Sequence, residues 1–154
     1  MGTKDWKEDI RHHFENTRLL ERCQADTIDE FEQFCEFIAE PAFENLQDEL
    51  AVYRVRSRYD KTKGRSIQYA VCFADEKIVQ FFYKIVLPRN SIELKMKLLI
   101  RGRKSPKSET ESKELDLFPG KTATELLKLT KEDLIADVIE HYKNFTYEAL
   151  TSEE

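Results

Sequence analysis

The chain has 154 residues, 40% hydrophobic and 36% charged, which suits one domain with a real core and is too apolar for a disordered chain. No apolar run approaches the roughly 18 residues of a membrane-spanning helix, and the acid-bearing start, with Trp6 where a myristoylation pattern wants Ser or Thr, reads neither as a secretory signal nor as a lipidation site. The net charge of −5 hides an asymmetry: residues 1–53 carry 5 basic and 14 acidic side chains, residues 54–104 carry 14 and 4, and residues 105–154 carry 6 and 12.

Trp6, Ile10, His13, Phe14 and Thr17 recur at three- and four-residue spacing and predict a helix over 4–22. Within that stripe His13 is expected to play a packing role. Thr27 and Glu30 form a capping box, which predicts a second helix starting at Thr27 with Ile28, Phe31, Phe34, Cys35 and Ile38 as its apolar face. Pro41 lacks a backbone donor, so a break or kink is expected there, followed by a short helix to about Leu50. Glu32, Glu36, Glu40 and Glu44 recur every four residues. If the helix continued through Pro41 they would form one negative stripe, read as a solvated face, with a docking surface for a basic partner or for the basic sheet of a second copy as the alternative.

The hydrophobic period then changes to two. Strands are predicted over about 51–59, 66–74, 78–87 and 92–101, with turns at 60–65, 75–77 and 88–91, where Gly64 supplies a left-handed position. Short turns imply antiparallel neighbours. Residues 102–114 read as a flexible charged loop, and Leu115–Phe118 as a short additional strand. Thr122 and Glu125 form another capping box, and Thr130 caps a final helix whose stripe is Leu134, Ile135, Val138, Ile139, Tyr142 and Phe145. The tail 151–154 is expected to fray. The expected fold is α+β in a single domain over 1–154. It has N-terminal helices over about 4–50 and a four-stranded antiparallel β-meander over about 51–101. C-terminal helices over about 123–149 follow, the last packed on the apolar sheet face.

Period two sorts the sheet residues. Tyr53, Val55, Tyr59, Ile67, Tyr69, Val71, Phe81, Tyr83, Ile85, Ile92, Leu94, Met96, Leu98 and Ile100 belong to one face. Arg54, Arg56, Arg58, Gln68, Gln80, Lys84, Lys95, Lys97 and Arg101 belong to the other, with Glu93 as the acid among them. Ala70, Cys72, Phe82, Val86 and Leu99 lie between, so the second face reads as a basic surface on an apolar floor. Arginine favours carboxylate and phosphate partners because its planar fork matches them.

Chemical motifs are sparse. Lys121 and Thr122 follow Gly120 as in a phosphate-binding loop, but Leu115 stands where that loop needs glycine. His12 and His13 point about 100° apart on a helix and cannot share a metal ion. Glu93 and Lys95 form a carboxylate–x–lysine pair of the kind that metal-dependent nucleases carry. Cys23, Cys35 and Cys72 have neither metal nor redox spacing, which implies reduced thiols and a cytoplasmic location, with Cys35 buried. No catalytic residue, metal ligand or cofactor site is assigned.

The expected function is a non-enzymatic binding module. Its basic sheet face, through Arg54, Arg56, Arg58, Lys84, Lys95, Lys97 and Arg101, would engage an acidic protein surface, a nucleic acid or a phosphorylated ligand. A homo-oligomer is compatible with the charge polarity, and no membrane contact is expected. The alternatives are a small-molecule cup under a curved sheet, lined by Tyr69, Phe81, Tyr83 and Met96, and a nuclease-like enzyme using Glu93 and Lys95.

Overall fold

The computed structural model describes residues 5–72, 80–103 and 110–151. The expected turn at 75–77, the strand residues Phe73, Ala74, Ile78 and Val79, part of the charged loop, the chain start and the end of the tail lie outside these residues. The architecture is α+β: N-terminal helices, an antiparallel sheet and a C-terminal helix.

The N-terminal helix α1, Trp6–Phe34, is continuous where two helices were expected. Thr27 is not a cap. Its side chain is buried and its hydroxyl donates to the Cys23 carbonyl at 2.8 Å, four residues back, so the helix continues through the expected boundary. Asp5 caps the true start, accepting from the Lys7 amide.

A single π turn, Cys35–Ala39, joins α1 to α2, Glu40–Val52. The Glu40 amide donates five residues back, to Cys35. That extra residue per turn sits where the Pro41 ring would collide with the carbonyl four residues earlier, so the proline is absorbed without ending the helix. Cys35, Ile38, Ala39, Ala42 and Phe43 are buried here.

The sheet has five strands rather than four, in the order β1 (Arg56–Thr62), β2 (Ser66–Cys72), β3 (Gln80–Val86), β4 (Lys97–Arg103) and β5 (Glu111–Asp116). Every neighbouring pair is antiparallel. β5 overlaps the short additional strand expected from Leu115 but starts at Glu111, within the segment 102–114 expected as a loop. Residues 92–96, expected to open the fourth strand, are irregular, although Leu94 and Met96 are buried there. A short helix, α3 (Ala123–Leu127), and a long one, α4 (Lys131–Thr151), follow. Thr122 and Glu125 close a reciprocal capping box, and Thr130 with Asp133 does the same for α4.

One sheet face is covered. Ile67, Tyr69, Val71, Phe81, Tyr83, Ile85 and Leu98 are buried against Phe31, Phe34 and Phe43 from the N-terminal helices and against Leu134, Val138 and Phe145 from α4. The β1–β2 hairpin is fastened to α1 at a second point. Glu32 accepts a hydrogen bond from the Gly64 amide and pairs with Lys61 at 2.7 Å, and these contacts hold its carboxyl below the usual range despite partial burial. Gly64 has φ +72°, and a Cβ there would meet Ile28 at 3.3 Å. We expect Gly64→Ala to cost about 1–2 kcal/mol in a urea melt, from left-handed strain plus crowding. An unchanged midpoint would mean the turn relaxes freely. Among the described residues no helix is long and apolar enough to cross a membrane.

Candidate functional site

The uncovered face of the sheet is built by the residues of β1–β5 that alternate with the core. The register arranges them in cross-strand rows. Arg56, Cys72, Gln80 and Arg103 align at one end of the sheet. Next come Arg58, Ala70, Phe82, Arg101 and Ser112, then Asp60, Gln68, Lys84, Leu99 and Glu114. The last row is Thr62, Ser66, Val86, Lys97 and Asp116. The arginines therefore gather at the end of the face where β1 enters and β4 leaves. Basic and acidic side chains alternate over the other end.

This distribution corrects the expectation of a uniformly basic surface. Asp60, Glu114 and Asp116 share the face, and Lys97 is committed to Asp116 by a salt bridge that raises its pKa. Asp60 has the same parity as the arginines and was visible in the sequence. Glu114 and Asp116 required knowledge of β5.

Two expected members leave the face. Lys95 lies in the irregular segment before β4, exposed and paired with Glu93 at 2.9 Å. Glu93 and Lys95 therefore do not sit on a strand, and among the described residues no three His, Cys, Asp or Glu side chains are grouped to hold a metal ion. Arg54 is not in a strand either. α2 runs through Val52, Tyr53 is its C-cap, and Arg54 follows in a left-handed conformation with φ 62°. The Arg54 amide donates to Ala51 and the Val55 amide to Leu50, each at 3.0 Å, the paired closure that usually has glycine at this position.

Arg54 nevertheless stays near its sequence neighbours. An open cavity of 790 Å³ beside the start of β1 is lined by Gln47, Ala51, Arg54, Val55, Arg56, Ser57, Arg58 and Cys72. Gln47 crosses from α2 and donates to the Ser57 carbonyl at 3.1 Å, so α2 covers part of this edge strand. Among the described residues Arg54, Arg56 and Arg58 make no ion pair.

Arg101 faces Arg58 across Ala70 and Phe82, three strand spacings or about 14 Å away. Its guanidinium carbon stands 5.7 Å from the Phe82 ring centre, and one terminal nitrogen donates to Gln68 at 3.1 Å. The Arg101 Nε is buried without a partner among the described residues. Stacking and hydrogen bonding thus fix this guanidinium in place. Lys84 is half-buried in the next row between Gln68 and Leu99.

Two members of the expected acidic stripe, Glu32 and Glu44, are engaged within the chain. Glu32 binds the hairpin, and Glu44 accepts from the Tyr59 hydroxyl at 2.8 Å. These contacts lie on the helix side of β1, opposite Arg56 and Arg58, and among the described residues they form no ion pair with those two side chains. The proposed cup lining is core: Tyr69, Phe81, Tyr83 and Met96 are all buried. Phe43 stacks on Tyr69 at 5.0 Å, and Phe145 packs on Phe81 at 5.5 Å, so helix side chains fill the space beneath the sheet.

A partly buried polar network that the sequence did not suggest joins the covered face to α4. The Tyr83 hydroxyl donates to Asp137 of α4, and His141 lies 3.7 Å from the same carboxylate oxygen. Only a spatial partner reveals it, since Tyr83 and Asp137 are far apart in the chain. No family model, curated protein or solved structure matches this chain.

Proposed function

We propose that this protein is a non-enzymatic interaction module and that the arginine end of its open sheet face takes an acidic segment of a partner protein. The convergence of Arg54, Arg56 and Arg58 on one cavity, without ion-pair partners among the described residues, carries this reading. Like charges so close together repel one another. The left-handed backbone at Arg54 costs about a further 1 kcal/mol that glycine would avoid. Strain of this kind, at a site of concentrated charge, supports a binding role.

Guanidinium forks match carboxylates bidentately. Between Arg58 and Arg101, Ala70 and Phe82 offer an apolar floor for a partner's side chains. A protein segment suits the face better than nucleic acid does. A short acidic segment can stay at the arginine end, whereas a continuous phosphate backbone would run on past Asp60, Glu114 and Asp116 on the rest of the face. The free cysteines are consistent with a reducing, cytoplasmic setting.

Fluorescence anisotropy against a glutamate-rich peptide and an oligonucleotide of equal charge tests this. The peptide is expected to bind more tightly, and its binding should weaken with salt. Changing Arg56 and Arg58 together to Ala should lower peptide affinity about tenfold. Arg54→Gly should also weaken binding while raising stability by about 0.5–1 kcal/mol. Preference for the oligonucleotide, or peptide binding indifferent to these changes, would overturn the proposal.

A further inference from the structure

The first two-thirds of α1 stands apart from the core. No side chain from Asp5 to Asp26 is buried, and the segment from Trp6 to Gln24 is an arm about 28 Å long. Most helical stability in proteins comes from packing an amphipathic face rather than from intrinsic propensity. The arm is not polar all round: Trp6, Ile10, Phe14 and Leu20 are 64%, 48%, 58% and 49% exposed.

Trp6, Ile10 and Leu20 belong to an ordered seam, with Phe14 beside it. Trp6, Ile10, His13, Thr17, Leu20 and Gln24 are separated alternately by four and three residues. The same alternation continues into Thr27 and Phe31, which are buried in the core. The face that packs the second half of α1 thus runs on, uncovered, along the first half. Thr17 presents its methyl group to this seam, since its hydroxyl is spent on the His13 carbonyl at 2.8 Å. Leu19 points to the other side and is not part of it.

The opposite side of the arm is already occupied with itself. Glu8 pairs with Arg11 at 2.6 Å and lies 3.3 Å from His12, whose other nitrogen is 3.8 Å from Glu15. That side behaves as a solvated face, and the seam is what remains to be covered.

We infer that the seam is covered by a second copy of this chain, with the two arms paired antiparallel. A repeat of four and three residues is the spacing of paired helices. Run antiparallel, the seam complements itself: Ile10 meets Leu20 of the second copy, His13 meets Thr17, and Trp6 covers Gln24. The flank decides the direction. Lys7, Phe14 and Glu21 lie seven residues apart beside the seam. Antiparallel pairing sets Lys7 opposite Glu21 of the second copy twice, with the two Phe14 rings meeting on the symmetry axis. Parallel pairing sets Lys7 against no acid. Antiparallel helix dipoles add a smaller preference of the same sign. The lengths agree too, since each arm ends where the packed half of the other helix begins. His13, Thr17 and Gln24 dilute the apolar seam, so the dimer is of the weak, concentration-dependent kind.

Sedimentation velocity of the full chain over a roughly hundredfold concentration range, with emission from Trp6, the single tryptophan, tests the pairing. The expected result is a monomer–dimer equilibrium with Trp6 emission shifting to the red on dilution. Lys7→Glu and Glu21→Lys should each raise the dimer Kd roughly tenfold. The double variant should recover the original Kd, and the two single variants, mixed, should form a heterodimer. Circular dichroism of each variant keeps loss of the helix distinct from loss of pairing. A chain monomeric throughout, a dimer indifferent to these charges, or single variants that the double does not rescue would each overturn the inference.

Discussion

Raising the pH from about 9 to about 11 should destabilise this protein steeply, because its core keeps protons that the unfolded chain would release. Burial pushes the Cys35 thiol from an ordinary 9.0 up to about 12. Burial likewise raises Tyr69 to about 12, against a small opposing effect from its hydrogen bond to Ser57. Tyr83 is held well above 10.0 by burial and then by the carboxylate of Asp137. Each group is neutral when protonated, and the fold disfavours its anion. The stability they contribute is therefore complete below the unfolded values and is lost as pH climbs through 9 and 10 toward 12. Three such protons remove on the order of 5 kcal/mol by about pH 11, comparable to the whole stability of a small domain. Urea midpoints should fall steeply between about pH 9 and pH 11. In Tyr83→Phe the same curve should be shallower by about one proton, although the variant starts lower because Asp137 loses its partner. A midpoint flat to pH 11 would mean that these three side chains reach solvent in the folded state.

The sheet residues in that set were legible from the sequence, and the reason is periodicity. From Arg56 to Cys72, Gln80 to Val86 and Lys97 to Arg103, alternation placed the aromatic and aliphatic residues on the face that the structure buries. Alternation reports burial, however, and not pairing. Leu94 and Met96 kept the rhythm and are buried, yet their backbone forms no ladder. The first four residues of β5 were hidden for the converse reason: in this edge strand only Leu115 is half-buried, so Glu111 to Glu114 have no apolar rhythm to detect.

Local signals misled where tertiary packing overrode them. Thr27 and Glu30 satisfy the capping pattern, but burial of Thr27 made a continuing helix better than a new one. Arg54 closes α2 in a conformation that normally announces itself as glycine, so periodicity alone started the arginine row two residues before β1 begins. The candidate site was half visible for this reason. Arg56, Arg58, Lys84, Lys97 and Arg101 share the open face as expected, whereas the concentration of arginine at one end depends on strand register, which composition does not encode.

Phe43→Ala should cost about 3–5 kcal/mol. The ring has no solvent exposure and lies at the centre of the aromatic cluster where α2 crosses the sheet. It stacks on Tyr69 with planes 11° apart, meets Tyr83 edge-on at 6.4 Å, and is tilted against Tyr59 at 6.0 Å. Collapse around the missing ring is restricted on every side. Ser57 and Asp137 hold the two buried phenols by their hydroxyls, and Glu44 holds Tyr59 from the same helix turn. The cavity should persist, and persistent cavities give the upper end of the range for such truncations. Phe43→Leu, which keeps most of the volume, should cost about 1–2 kcal/mol. The two losses also separate packing from the surface chemistry, since Arg56→Ala with Arg58→Ala touches no buried group and should move the urea midpoint by less than about 0.5 kcal/mol. Thermal and urea melts of the three variants check the ranking. A Phe43→Ala protein as stable as the Leu variant would show that α2 settles onto the sheet, and the rigidity attributed to the three tyrosine hydrogen bonds would be lost with it.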